Sequence, residues 1–155
     1  MYYLDSNFVI RDRCLTNGNW STGKLADELG NIKAAPGAGL AATLLPNKTN
    51  TRIHVYYQAI DPREQRSSWF TIYLLNHPEE TQARIIRQLI FDGASWRKGK
   101  LDIGGSLADT SLSAVAYFYD GQDHTRVFYQ AENLSLKDHL YNKSGWQAGQ
   151  YTSSV

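Results

Sequence analysis

The sequence predicts an all-β fold: a β-propeller-like array of about three four-stranded antiparallel blades, the first incomplete, with extra strands or a loop at about 60–82. Three observations predict it. The chain is rich in strand-length alternating runs loaded with aromatics, among ten Tyr and four Trp, as half-buried strands require. Turn-like or small-residue segments separate those runs. One phrase also recurs with fixed internal spacing. From His124 to Gly149 it reads as a strand (Arg126 to Gln130), a second strand (Leu134 to Tyr141), an Asn-Lys-Ser-Gly turn, and a Trp-x-x-Gly strand opening at Trp146. The N-terminal stretch repeats it, because Tyr3 precedes Trp20 by the same seventeen residues that separate Tyr129 from Trp146. A fixed period of this kind is the mark of an array or propeller.

Residues 2–4 and 8–15 read as short strands broken by Asp5-Ser6-Asn7. The turn Thr16-Asn17-Gly18-Asn19 suits positive φ and leads to a third strand, Trp20 to Leu25. In the connector Ala26 to Gly39, Pro36 and three glycines disfavour a long helix. Ala34 to Leu45 leads into a small-residue strand suited to the crowded axis of a propeller. Thr51 to Ala59 is the second aromatic strand.

The second copy carries an insert. Tyr57 lies thirty-nine residues before Trp96, so about twenty-two residues are extra between Ile60 and Gln82, including the apolar run around Trp69 to Leu75 and a turn at His77 to Glu80. The pattern resumes at Ala83, turns at Asp92-Gly93 and reopens at Trp96. The Gly/Ser-rich connector Asp102 to Thr110 precedes an inner strand, Ser111 to Asp120, and then the phrase described first. The single domain 1–155 therefore divides into a partial blade at about 1–33, a blade with an insertion at 34–102, and a blade at 103–155. About eleven blade strands are too few to close a propeller of four to eight blades, so the expectation is a homo-oligomer or a missing chain segment that completes the ring.

Charge is nearly balanced at +1, which supplies no polybasic face for nucleic acid. No apolar run reaches the length of a membrane-spanning helix, and MYYLDSNF has no signal-peptide pattern. Beginning inside a strand-like phrase, the chain is expected to lack upstream sequence. The single cysteine, Cys14, excludes an intrachain disulfide framework and a cysteine-rich zinc site and reads as a buried strand residue. Four glycosylation sequons, at Asn19, Asn47, Asn133 and Asn142, lean toward a secreted, extracellular glycoprotein, although polar turns in any all-β chain also generate them.

Four elements together resemble the fungal fucose-specific lectin family, the Aleuria-type six-bladed propellers. They are Ala34-Ala35-Pro36-Gly37 leading to Leu40-Ala41-Ala42, the strand Ile10-Arg11-Asp12, the strand Arg126-Val127-Phe128-Tyr129-Gln130, and the Trp-x-x-Gly strands at Trp20, Trp96 and Trp146. The resemblance implies a fucose held between neighbouring blades by an Arg ahead of the aromatic run, a Glu on the next strand and an aromatic platform. Such a site is chemically reasonable: a guanidinium fork and a carboxylate are fixed donors and acceptors for sugar hydroxyls, and rigid aromatics give contact at low entropy cost.

Carried over residue by residue, Arg126 fills the arginine slot of the third copy, with Asp138 where the family has Glu. In the second copy His54 fills the slot, Arg52 lies two positions earlier, and Gln88 replaces the Glu. The first copy begins at the slot with Met1, and Asp12 replaces the Glu. The same residues also read plainly: Arg126 and Asp138 as an exposed cross-strand ion pair, Trp20, Trp96 and Trp146 as inter-blade core, His54 as a strand-surface histidine and Asp12 as a solvated strand residue.

The function expected is recognition of fucosylated or related glycans in shallow sites between blades, multivalent through repetition, without cofactor, metal, nucleic-acid or membrane partner. The alternative is a lectin-fold propeller repurposed as a fungal secondary-metabolism enzyme that cyclises a terpenoid-type intermediate; a deep apolar pocket beside the insert would distinguish it. No Gly-x-Ser-x-Gly, His-Glu-x-x-His or phosphate-loop motif marks a hydrolase, and no catalytic residue is assigned.

Overall fold

The computed structural model describes residues 1–45, 52–60 and 84–153. The expected insert at about 60–82 and Asn47 lie outside these residues, apart from Ile60, which ends a strand.

Three antiparallel sheets follow one another along the chain. The first has three strands, β1 (Tyr2–Leu4), β2 (Ile10–Thr16) and β3 (Asn19–Thr22), in that order. The second pairs β4 (Leu40–Leu45), β5 (Arg52–Ile60), β6 (Arg84–Phe91) and β7 (Trp96–Ser106) sequentially. The third does the same with β8 (Ser113–Tyr119), β9 (Gln122–Gln130), β10 (Leu136–Asn142) and β11 (Gly145–Ser153). These are propeller blades, the first lacking one strand among the described residues.

Tight turns set the hairpin registers. Asn17 and Gly18 both have positive φ, 51° and 80°, and join β2 to β3; Asp120 and Gly121, at 49° and 72°, do the same for β8 and β9. Two successive left-handed residues match the twist of the flanking strands. The Asp92-Gly93 turn is held by Asp92, whose Oδ1 accepts the backbone N–H groups of Ala94 and Ser95, both at 3.0 Å.

The second sheet is buried on both faces. Val55, Tyr57, Ala59, Ile85 and Leu89 pack with Ile10, Leu25 and Trp96 toward the first sheet. Tyr56 and Ile86 pack with Leu112, Val127 and Tyr129 toward the third. Burial on both faces explains why β5 and β6 read as continuous apolar and aromatic runs instead of clean alternation.

Two boundaries differ from the sequence expectation. The third strand ends at Thr22, and Leu25–Leu29 form a short helix, α1. Gly23 lies against the Asp12 carboxylate, and Asp12 Oδ1 accepts the Leu25 N–H at 3.1 Å, satisfying a donor that a helical first turn leaves unpaired. Glu28 of α1 then accepts the Trp96 N–H through Oε2 at 2.6 Å, tying the first blade to β7. The Gly/Ser segment Asp102 to Ser106, expected as connector, extends β7 instead, with register shifts that absorb its irregularity. Cys14 is exposed, not buried, because the hairpin of β2 and β3 projects beyond the packed part of the first sheet.

Candidate functional site

The strand pairings align the three copies residue for residue. Phe128 lies opposite Asp138, Tyr56 opposite Gln88, and Tyr2 opposite Asp12. Two residues before Phe128 and Tyr56 stand Arg126 and His54. The equivalent position in the first copy falls one residue ahead of Met1, so Met1 is not in the arginine slot; its ammonium group instead donates to the Arg13 carbonyl at 2.9 Å.

In each copy the glycine of Trp-x-x-Gly makes room for the polar residue on the neighbouring strand. A Cβ on Gly23 would collide with Asp12, on Gly99 with Gln88, and on Gly149 with Asp138. The recurring glycine is therefore a cradle for a buried polar side chain, which is why Trp-x-x-Gly recurs at this spacing.

In the third copy Arg126 Nη1 donates to Asp138 Oδ2 at 3.0 Å. The pair is not the exposed bridge expected: the Asp138 side chain is fully covered, and the Arg126 side chain is 33% exposed. A hydrogen bond to the Tyr117 hydroxyl, then the Asp138 carboxylate, holds the guanidinium pKa above its ordinary value. Tyr117 itself stacks on His124, with ring centroids 5.2 Å apart and planes at 7°. Arg126 and Asp138 lie on the face of the third sheet turned away from Val127 and Tyr129, which pack against the second sheet.

In the second copy the same two positions hold a neutral pair. His54 is 6% exposed and so is not a strand-surface histidine. Gln88 Nε2 donates to His54 Nδ1 at 3.1 Å and to the Tyr56 hydroxyl at 3.2 Å. With Nδ1 accepting, the neutral imidazole carries its proton on Nε2. Burial, then the positive charges of Arg52 and Arg97, push the His54 pKa down from 6.5 to about 4. The pair opens into a cleft of about 210 Å³ between the second and third blades. Arg52, Arg97 and Lys100 line it on the near side, and Asp123, Tyr141 and Trp146 on the far side.

A second cleft, of about 390 Å³, lies between the first and second blades, with Asp12 and Gly23 on one wall and Phe91 and Trp96 on the other. Asp12 is buried, held by Gly23 and the Leu25 N–H, and not a solvated strand residue. Both clefts share one construction: a polar residue over a glycine on one blade faces a Trp and its cross-strand aromatic partner on the next, Trp146 with Tyr141 and Trp96 with Phe91.

The tryptophans therefore serve differently by position. Trp96 is buried against Tyr2 and Phe91, with centroids at 5.8 and 5.3 Å. Trp146 is half-buried, edge-on to Tyr56 and tilted on Tyr141, and flanks the cleft. Trp20 is 49% exposed, and no described blade precedes it. Asn19 and Asn133 are exposed, and Asn142 is half-exposed. The Oδ1 atoms of Asn133 and Asn142 accept the N–H groups of Ser135 and Ser144.

The residues not singled out from sequence are Arg97, Lys100, Tyr141 and Tyr117. A comparison of Trp-Arg-Lys-Gly-Lys with Trp-Gln-Ala-Gly-Gln carries the signal for the first two. Among the described residues no group of three His, Cys, Asp or Glu gathers as metal ligands would, and no helix is long and apolar enough to cross a membrane.

The sequence model of the family "Fungal fucose-specific lectin" matches residues 1–155. No curated protein matches the chain. Among solved structures, the six-bladed β-propeller lectin of Aleuria aurantia, described with a novel fucose recognition mode, is 18% identical with a TM-score of 0.75, over 99% of this chain and 42% of that one. AofleA from Arthrobotrys oligospora is 24% identical with a TM-score of 0.70, over 97% of this chain and 38% of that one. A fucose lectin from Kordia zhangzhouensis, solved with methyl-fucoside, is 24% identical with a TM-score of 0.67, over 99% of this chain and 90% of that one. The chain thus spans about two fifths of the two fungal proteins and nine tenths of the Kordia lectin.

Proposed function

The chain belongs to the fungal fucose-specific lectin family, and on that premise we propose that it is a non-catalytic carbohydrate-binding protein that recognises fucosylated glycans in clefts between blades. The observation that carries this reading is the repeated construction of those clefts. Each sets a buried polar residue over a glycine, opposite an aromatic pair from the next blade. A sugar ring has an apolar face for the aromatics and hydroxyls for the polar groups, so this arrangement suits it.

Arg126 and Asp138 form the position best suited to fucose, with a guanidinium and a carboxylate fixed at 3.0 Å. Their aromatic wall has to come from a further blade. Trp20, with the aliphatic Leu15 across the strand where the other copies have an aromatic, would supply it from a second copy of the chain, and both are exposed. Additional blades of a longer chain would serve equally. The sequons at Asn19, Asn133 and Asn142 fit a secreted glycoprotein.

Calorimetric titration with methyl α-L-fucoside tests the reading, together with light scattering for the number of copies. Binding by the native protein, reduced at least tenfold in Arg126→Ala, is expected. A folded preparation that binds no fucoside, in any assembly state, would sink it.

A further inference from the structure

We propose that the cleft between the second and third blades takes an acidic sugar, one bearing a carboxylate or sulfate group, while the Arg126–Asp138 position takes a neutral one. This rests on the reading of the protein as carbohydrate-binding and assigns a different ligand class to one of its sites.

The argument is a comparison between copies of the same blade. In the third copy, the residues around the polar pair are His124, Gln147 and Gln150. The equivalent positions in the second copy are Arg52, Arg97 and Lys100, and all three line the cleft. At the same time the carboxylate of Asp138 is replaced by the neutral amide of Gln88. The Arg126 cation is likewise replaced by the neutral His54, so the two replacements cancel and the site differs by the three added cations. Asp123 is the single acid among the described lining residues. Asp92, whose Oδ1 accepts the turn N–H groups of Ala94 and Ser95, interacts with Arg97 and offsets part of its charge, leaving Arg52 and Lys100 as further cations of the lining.

The polar floor is consistent with this assignment. Gln88 holds His54 through Nδ1, which leaves Nε2–H as the imidazole's remaining donor. The cleft therefore sets imidazole, guanidinium and ammonium donors against fewer side-chain acceptors, the Asp123 carboxylate, the Gln88 Oε1 and the Tyr141 hydroxyl. Neutral sugar hydroxyls require both, whereas a carboxylate or sulfate accepts only. Trp146 and Tyr141 remain as the wall for the ring. Where Asp12 or Asp138 stands in the other copies, an anionic ligand would meet a buried carboxylate and be repelled.

The test is titration of the native protein with methyl glucuronide, a sialic acid methyl glycoside and a sulfated galactoside, against methyl α-L-fucoside and methyl glucoside. Binding is followed by calorimetry and by Trp fluorescence. At least one acidic sugar is expected to bind about tenfold more tightly than methyl glucoside, and the preference among the three separates carboxylate from sulfate recognition. Arg97→Gln and Lys100→Gln, which install the residues of the third blade on an exposed strand, are expected to weaken acidic-sugar binding about tenfold each. They should leave the fucoside binding at the Arg126–Asp138 position, the part that Arg126→Ala removes, unchanged, and added salt should weaken only the acidic ligand. Fucoside binding without any acidic-sugar binding would overturn this inference alone. So would acidic-sugar binding that Arg97→Gln, Lys100→Gln and salt all leave untouched. Binding of no sugar at all would overturn the proposed function itself, and this inference with it.

Discussion

Gln88 donates from Nε2 to His54 Nδ1 across 3.1 Å, in the two positions that Asp138 and Arg126 occupy, 3.0 Å apart, in the next blade. A charged pair and a neutral pair thus stand on the same framework. The neutral pair is buried at the floor of an inter-blade cleft, where an unpaired charge would be costly. The charged pair lies on a face that no described blade covers.

The neutral pair makes stability depend on pH. His54 titrates at about 4 in the folded chain against 6.5 as its ordinary value. Between those values the unfolded chain binds the extra proton, so stability is full above about pH 6.5 and falls as the pH drops toward 4. The loss from this group is at most about 3 kcal/mol. His139, pushed down chiefly by burial, adds to it in the same direction. Urea midpoints measured from pH 7 to pH 4 should decline in the native protein and decline less in His54→Gln.

The glycine cradles should resist the smallest enlargement. Gly149→Ala places a Cβ against the Asp138 carboxylate, and overpacking of this kind costs about 1–3 kcal/mol. Denaturant unfolding reads the loss. Displacing Asp138 should also weaken fucoside binding at Arg126, which titration of the same variant would report.

Glu28 reaches from α1 to the backbone of the second blade. Glu28→Ala leaves the Trp96 N–H without its acceptor, which should cost about 1–3 kcal/mol. An unchanged unfolding midpoint would show that the contact contributes nothing. Hydrogen exchange at the Trp96 amide should rise in the variant.

Leu89, fully buried between the first and second sheets, measures how far the blades depend on one another. Leu89→Ala should destabilise by about 2–5 kcal/mol. A single cooperative transition is expected, because the sheets share their cores.

The repeat made the strands legible. Tyr3 to Trp20 and Tyr129 to Trp146 share one spacing, so hairpins, turns and blade order follow from local periodicity alone. The glycine of Trp-x-x-Gly was visible as a pattern, but not its purpose. A glycine in a strand announces a close approach without naming what approaches. Read plainly, instead of as sugar ligands, His54, Asp12 and Arg126–Asp138 would face solvent, and all are buried or half-buried. Alternation assigns His54 and Asp12 to one face of a sheet, yet it does not reveal that another sheet covers that face; Asp138 is covered within its own blade, by Arg126 and its seat over Gly149.

The sequence by itself determined the all-β fold, the three copies and the family, because strand periodicity, turn residues and motif spacing are local properties of the chain. Only the tertiary structure decided which copy becomes a cleft. Trp146 and Tyr141 reach His54 and Gln88 because the third blade packs on the second. Contacts across blades depend on sheet stacking, which brings together residues about fifty to ninety positions apart, and no local pattern encodes that distance.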